Sequence, residues 1–332
     1  MNDKSLILIR AARATAVLKG DPVAAQRFAA AQWGPGNDVS DFLKRGIVDT
    51  DSVQPNGAVL RDLGAFLLQL TRRRSALGRV AAVVPFLNVP FSAPILEMTT
   101  EAQAGWTPET QKITASGQAF KTFEMDILKV AGMCVYSMEF LRASDVNLDA
   151  AIRRDLSRAL AKVEDATFFN PANDGVVGAS PASPFAGRTV AGDGNVADAI
   201  ASLFEDADED VIAESVLCVN PLDVGALIAA GYGRDGALTV EGGYCAGLPT
   251  VTAPVPRGSV GYVCPPLIAM SDGGANVEAA TQSTVEVVDA DTGEVTIRSL
   301  WAENLTALRV LHFTNWRVGR DDAAKLVTGA ID

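Results

Sequence analysis

The chain has 332 residues, of which 48% are apolar and 20% charged, and a formal net charge of −12. This composition is that of a globular protein and excludes an intrinsically disordered chain. The apolar run 127–135 is far too short to span a bilayer, and residues 1–14 lack the pattern of a secretory signal. The four cysteines have neither metal-binding nor redox spacing, which predicts reduced core thiols in a protein made in the cytoplasm: Cys134, Cys218, Cys245 and Cys264.

Charge is distributed unevenly along the chain. Residues 1–80 hold 12 Lys and Arg against 7 Asp, a balance of +5, whereas the remaining 16 basic and 33 acidic residues give −17. The acidic bulk argues against a protein whose main surface grips nucleic acid. Three consecutive arginines, Arg72, Arg73 and Arg74, are either a contact for an acidic partner or a solvated helix end.

The first part of the chain predicts helices. Residues 5–33 are rich in alanine and favour one or two helices, which the sequence WGPGND at 33–38 ends. Residues 56–78 have apolar positions at helical spacing, which predicts a further helix. Residues 80–91 are β-like and interrupted by prolines.

Residues 92–130 favour two extended arms around a polar middle. Phe123, Met125 and Ile127 alternate with acidic residues, which is strand spacing. The segment is too long and too polar for a buried connection, and a lone two-stranded hairpin is only marginally stable. We therefore expect a projecting hairpin that needs a neighbouring surface.

The second half of the chain begins with the clearest helix, residues 147–169, whose apolar residues form one stripe. A Gly- and Pro-rich loop or linker is expected at 170–195. The elements predicted after it are a helix from Asn195, a strand at 215–220, a helix at 221–231, short strands to about 270, a hairpin at 284–301, a strand at 305–318 and a short closing helix.

The sequence GYGRDG at 231–236 matches the glycine pattern of dinucleotide-binding loops. That loop needs a strand before it and a helix after it, so that the helix N-terminus faces the pyrophosphate. Here a predicted helix precedes the glycines and a predicted strand follows, so the order is reversed. The glycines are better interpreted as a helix end and a turn.

One cysteine motif leaves an enzymatic alternative open. The sequence GYCAG at 243–247 has the form of a nucleophile elbow, with Cys245 as nucleophile and His312 as the available base, and predicts at best a cysteine-dependent amidase. A turn at Cys245 and a packed core histidine are the simpler interpretation. The sequence VDADTGEV at 288–295 lacks the ligands of a calcium loop. We therefore predict no catalytic residues, no metal site, no cofactor and no enzyme.

Four ordered segments resemble the major capsid proteins of tailed bacteriophages, the Hong Kong 97-type fold that encapsulins share. Residues 102–141 are similar to the extended-loop hairpin of that family, with a Ser-x-Glu-x-Leu step at 137–141. Residues 147–170 resemble its spine helix, with an aspartate near the helix end at Asp165. Residues 247–274 and 299–327 resemble the stretch after the central axial strand and the closing segment.

The resemblance implies an α+β Hong Kong 97-like capsid fold and a structural role. It implies hexamers and pentamers that close into an icosahedral virion shell around double-stranded DNA, with a portal as a further partner and a decoration protein as an optional one. The parts implied are an N-terminal arm with helices (1–80), an extended-loop hairpin region (81–130), a peripheral domain with a spine helix (131–190), an axial domain (191–280) and a return to the peripheral domain (281–332).

Two features limit what the resemblance implies. The N-terminal region lacks a long coiled-coil-like run, so a separate scaffolding protein is expected. Some family members crosslink a lysine to an asparagine; Lys112, Lys121 and Asn304 are of the right types, but no motif identifies such a set. An encapsulin-type nanocompartment that encloses protein cargo remains an alternative, because it shares the fold.

Overall fold

The structure is a computed structural model and describes residues 4–18, 21–48, 71–92, 94–98, 120–142, 146–205, 207–232, 237–288 and 293–331. Its described part is a mixed α/β fold with a four-stranded sheet, a seven-stranded sheet and two separate two-stranded sheets.

Three helices form the N-terminal region: α1 (Lys4–Val17), α2 (Pro22–Trp33) and α3 (Asp38–Val48). Asp21 caps α2 by accepting hydrogen bonds from the backbone N–H groups of Val23 and Ala24. The predicted helices within 5–33, and their end near residue 34, are confirmed.

The segment predicted to be β-like is helical at residues 80–83 and forms only a two-residue strand further on. Residues 71–74 form a helical turn, and α4 spans Ala76–Val83, with Ser75 capping it by accepting from the N–H of Gly78. The strand prediction for 80–91 is wrong except at β1 (Leu87–Asn88), because the cap and a buried apolar face favour the helix. Most of the helix predicted at 56–78 lies outside the described residues.

The four-stranded sheet has the order β1-β11-β14-β4, with β4 at Lys129–Ser137, β11 at Ile268–Ala280 and β14 at Leu305–Val318. Strand β1 is parallel to β11, and the other pairs are antiparallel. The short helix α5 (Met138–Arg142) leads to the long helix α6 (Val146–Phe169), as predicted at 147–169. Helices α1 and α6 bury apolar side chains against one face of this sheet.

The seven-stranded sheet has the order β5-β15-β10-β6-β9-β8-β7. Its strands are β5 (Thr189–Ala191), β6 (Val216–Val219), β7 (Leu238–Thr239), β8 (Gly242–Cys245), β9 (Leu248–Thr252), β10 (Val260–Val263) and β15 (Ala324–Thr328). Helices α7 (Val196–Leu203), α8 (Glu209–Ala213) and α9 (Val224–Ala229) lie between these strands in sequence.

The chain closes with a strand, not with the predicted helix. Within this closing segment, the helical part is a single turn at Asp321–Ala323. Strand β15 follows it and pairs antiparallel with β10 and parallel with β5. The backbone hydrogen bonds offered by two neighbouring strands outweigh the local alanine-rich sequence. A shared core joins the two larger sheets, with Phe168, Phe185 and Trp316 among its buried aromatic residues.

Two antiparallel hairpins complete the described fold. Strand β2 (Pro94–Met98) pairs with β3 (Phe120–Glu124), which confirms the two arms predicted within 92–130. Strand β12 (Thr284–Val288) pairs with β13 (Val295–Ser299), which confirms the hairpin predicted at 284–301. The polar middle of the first hairpin and the turn of the second lie outside the described residues.

Candidate assembly surfaces

The residues considered for nucleophilic catalysis are not brought together as a catalytic pair. Cys245 is buried in the core of the seven-stranded sheet, and Ala246 and Gly247 turn the chain from β8 to β9. Burial raises the pKa of the Cys245 thiol, which disfavours the thiolate nucleophile. His312 belongs to the four-stranded sheet, where both of its ring nitrogens contact carboxylates. The turn predicted here is found at Ala246 and Gly247, whereas Cys245 itself is the last residue of β8.

The other sequence motifs have structural explanations. Gly231 follows α9 with a φ of 97°, and β7 follows the motif, so the predicted order of helix, glycines and strand holds; residues 233–236 lie outside the described part. Among the described residues, no group of three acidic, Cys or His side chains could hold a metal ion. No helix of the described part is long and apolar enough to cross a membrane.

The hairpin β12–β13 carries an apolar surface on one face. Val288 and Val295 are directly paired and Ile297 lies two residues further on, so the alternation of strand side chains puts all three on the same side. Their exposed fractions are 62%, 57% and 73%. Trp301, just after β13, is 71% exposed. Four large apolar side chains on one small element are a candidate contact surface.

The opposite face of this hairpin is already packed. Val285 is buried in a cluster with Leu300 and Ala307, and Val287 packs against the same cluster. This packing holds the hairpin to the ends of β4 and β14. One face of the hairpin thus packs against the protein's own core, and the opposite face stays exposed to solvent.

The hairpin β2–β3 is anchored at its base. Phe123 and Met125 are buried with Val89 and Ala269, and the guanidinium of Arg317 lies 4.3 Å from the ring centre of Phe123. Strands β2 and β3 pair only with each other among the described strands. The hairpin therefore begins at the four-stranded sheet and leaves it as an isolated two-stranded ribbon.

The charged segments lie at the surface, as the sequence indicated. Arg72, Arg73 and Arg74 are exposed, and Arg72 forms an ion pair with Asp272. The acidic side chains described within 205–214 are exposed too.

The residues considered for a crosslink are not seen together in the described part of the chain. Lys112 and the side chain of Lys121 lie outside the described part. Asn304 donates a hydrogen bond to the carboxylate of Glu139, at 2.7 Å.

The sequence did not reveal the role of Asp165, although the resemblance singled it out. Its carboxylate accepts hydrogen bonds from the backbone N–H groups of Ala76 and Leu77, at 2.8 and 3.0 Å, and so joins the end of α6 to the start of α4. Burial raises the pKa of Asp165 to about 6, against the lowering effect of these two hydrogen bonds. The signal was an acidic residue just before the two buried phenylalanines, Phe168 and Phe169, that end the helix.

Comparisons with known proteins agree with this fold. The model of the phage capsid family matches residues 57–249. A capsid polyprotein of Pseudomonas phage PAJU2 is 28% identical over 289 residues, which cover 80% of this chain and 43% of that protein. The chain thus corresponds to less than half the length of this relative.

Solved structures share the fold at low sequence identity. A chain of Gordonia phage Cozz is 15% identical with a TM-score of 0.53, over 75% of this chain and 85% of that one. A chain of Mycobacterium phage Cain is 16% identical with a TM-score of 0.53, over 76% and 90%. The capsid of a native GTA particle, computed with C5 symmetry, is 15% identical with a TM-score of 0.50, over 76% and 90%.

The family match covers more than half of the chain. The protein belongs to the phage capsid family, and the resemblance to Hong Kong 97-type major capsid proteins is confirmed. This family is one of structural components of the virion capsid and is non-enzymatic, which argues against the amidase alternative.

Proposed function

We propose that this chain is the major subunit of an icosahedral shell, in which hexamers and pentamers of the chain enclose double-stranded DNA. The observation that carries the proposal is the exposed apolar face of β12–β13, formed by Val288, Val295 and Ile297. A monomer gains nothing from exposing this face, whereas a neighbouring copy would bury it. The ribbon β2–β3, which has no further strand partner in the described part, supports the same proposal.

The two larger sheets support a division into two domains. We assign the four-stranded sheet, with α1 and α6, to the peripheral domain, and the seven-stranded sheet to the axial domain. Strand β11 lies in the first sheet and β15 in the second. The sheets therefore favour an axial domain that ends near residue 267 and also includes residues 324–328. This range differs from the axial domain of 191–280 that the resemblance implied.

The charge distribution supports an enclosed nucleic acid that is held loosely. A balance of −17 over residues 81–332 repels a packaged polyanion at close range, and salt screens this repulsion beyond about 10 Å at 0.1 M. The +5 segment 1–80 supplies the few favourable contacts, with DNA or with an acidic neighbouring subunit. A portal and a separate scaffolding protein complete the proposed set of partners, with a decoration protein as an optional addition.

Electron microscopy of particles purified from a cell that expresses the chain tests the proposal. We expect closed shells or capsomers, and light scattering should show an assembled mass. A chain that stays monomeric over a wide range of concentration and salt would contradict shell formation.

The contents of virions that carry this subunit test the second part. DNA that resists nuclease until the particles are opened supports a genome-packaging shell. Particles that hold a protein cargo and no DNA would favour the encapsulin-type alternative instead.

A further inference from the structure

The one histidine of the chain is buried in the interface between α6 and the four-stranded sheet. His312 continues a row of buried β14 side chains after Leu308 and Val310, on the sheet face that α6 covers. Opposite this row, Glu164 lies one helical turn after the buried Leu160 of α6. His312 and Glu164 thus face each other across the interface between α6 and the sheet, each following apolar residues of its own element.

Both ring nitrogens of His312 face carboxylate oxygens. Nδ1 lies 2.6 Å from Oε1 of Glu164, and Nε2 lies 3.3 Å from Oδ1 of Asp272 on β11. A neutral imidazole has a single N–H, so one of these contacts would set a ring lone pair against an anionic oxygen. With both carboxylates ionised, only the imidazolium donates in both directions, and the geometry therefore favours the charged ring.

A fourth group extends the cluster to another segment of the chain. The guanidinium of Arg72, in the helical turn 71–74, pairs with the second oxygen of Asp272. Helix α4 passes close to this turn at Gly78, where an added Cβ would collide with the Arg72 carbonyl. Asp165, next to Glu164, is turned away and binds the start of α4. The charged groups that face the ring and its partners are thus two acids and one arginine.

Empty space lies beside this cluster. A cavity of about 270 Å³ is bounded by the four charged groups on one side and by apolar side chains that include Leu77, Phe86 and Met270 on the other. The turn 71–74 and α4 form one wall of this cavity. The apolar face of α4 packs in the shared core, whereas the exposed Arg72 ties the turn 71–74 to the sheet at the border of this cavity.

We propose that protonated His312 is a pH-sensitive latch that clamps α6 and the turn 71–74 to the strand pair β11–β14, and that loss of its proton opens the clamp. Deprotonation leaves a single N–H for two carboxylates, so either the buried Glu164 or Asp272, the residue to which Arg72 is attached, loses its donor, and both lose the neighbouring positive charge. The cavity gives the turn and the helix end room to move.

The ionisation of the cluster agrees with this geometry. Burial by itself would lower the pKa of His312, but hydrogen bonds and charges from Asp272 and Glu164 outweigh burial and raise this pKa to about 9. Burial by itself would raise the pKa of Asp272, but His312 outweighs it and lowers this pKa to about 2. The histidine contribution to stability is complete below about pH 6.5 and is lost as pH rises through about 9.

Magic-angle-spinning NMR of the full chain with 15N-labelled histidine tests the latch directly, because a single residue gives the signal. At about pH 7 we expect both ring nitrogens to be protonated, with titration near pH 9. Glu164→Gln and Asp272→Asn should each lower the titration midpoint by about one unit or more. A neutral ring at about pH 7, or a midpoint at or below the ordinary value of about 6.5, overturns the proposal.

Hydrogen–deuterium exchange tests the opening. After correction for the intrinsic pH dependence of exchange, we expect residues 71–83 and the second half of α6 to exchange at least about tenfold faster at about pH 10 than at about pH 7, since opening costs less once the ring is neutral.

The matched variant His312→Leu/Glu164→Leu, in which apolar contact replaces the charges, should lose this difference between the two pH values. The same pH dependence in this variant and in the unsubstituted chain contradicts the latch. If the variant does not fold, the histidine titration of the unsubstituted chain still decides the proposal.

Discussion

Arg13 of α1 and Asp149 of α6 form a buried ion pair, with Nη1 of the arginine 2.8 Å from Oδ1 of the aspartate. Arg13 also donates to the backbone carbonyl of Leu141, and Arg10 donates to the other oxygen of Asp149. The pair lies at the edge of the apolar contact between α1, α6 and the four-stranded sheet. The N-terminal helix is therefore built into the core of this sheet.

The first prediction follows from this ion pair. Asp149→Asn should lower the free energy of unfolding of the unassembled subunit by about 3–5 kcal/mol, because Arg10 and the buried Arg13 would both lose the carboxylate charge that they share. Urea denaturation measures this change. Asp155→Asn, at an exposed position of the same helix, is the matched control and should change stability by less than about 0.5 kcal/mol. Equal effects at the two positions would show that the ion pair has no special role.

The second prediction concerns the apolar face of β12–β13. The double change Val295→Asp/Ile297→Asp should leave the subunit folded, because both side chains are exposed, but should abolish shell assembly by putting charges into a contact between copies. Sedimentation and electron microscopy measure assembly, and circular dichroism checks the fold. Glu286→Gln, on the same face, alters charge without removing apolar surface and should still assemble. Normal shells from the double variant would exclude this face as an assembly contact.

The third prediction concerns the hairpin β2–β3. The last described pair is Met98 with Phe120, so a two-residue Asn-Gly turn can replace residues 99–119 without changing the register. We expect the shortened subunit to unfold at the same urea concentration as the parent within error, because Phe123 and Met125 still anchor the base, but to assemble poorly. Shells of ordinary size and yield would remove the hairpin from the list of contacts between copies.

The fourth prediction concerns DNA. Because Arg72 is engaged by Asp272, the exposed Arg73 and Arg74 are the arginines to replace. The double change Arg73→Ala/Arg74→Ala should weaken an already weak, sequence-independent binding of duplex DNA and should lower its salt dependence by up to about two units of slope. Fluorescence anisotropy over a range of salt measures both quantities. Tight, sequence-specific binding that is indifferent to this change would mean that the chain recognises DNA by another surface.

The fifth prediction concerns the cysteines. Burial raises the pKa of the Cys218 thiol to about 12 and that of Cys264 to about 11, and it raises the pKa of Cys245 as well. Since the thiolate is the reacting form, iodoacetamide at neutral pH should leave these three unmodified for hours, and the half-exposed Cys134 should react first. Peptide mapping by mass spectrometry checks the order. Rapid labelling of Cys245 would show that its surroundings are open.

Helices and strands could be predicted from the sequence where their own apolar residues show a clear helical or alternating spacing. The helix α6 was evident because its apolar residues recur every three or four positions over six turns, and the arms of both hairpins were evident from alternation. The glycine motif at 231–236 could be rejected because its neighbours stand in the wrong order. The fold family was evident from four ordered segments, none of which is diagnostic alone.

Tertiary contacts determined the secondary structure where the local sequence had only a weak preference, or where the stabilising partner lies far away in the chain. Residues 80–83 are helical because the Ser75 cap and the carboxylate of Asp165 supply acceptors for the first N–H groups of α4, and Asp165 lies about 90 positions away in the chain. Residues 324–328 form a strand because β5 and β10 offer backbone partners on both sides. The sequence showed only a lone histidine in an apolar run and gave no sign of its partner Glu164. That the two meet depends on how α6 lies across β14, because buried charges are stabilised by partners that only the folded chain brings within reach.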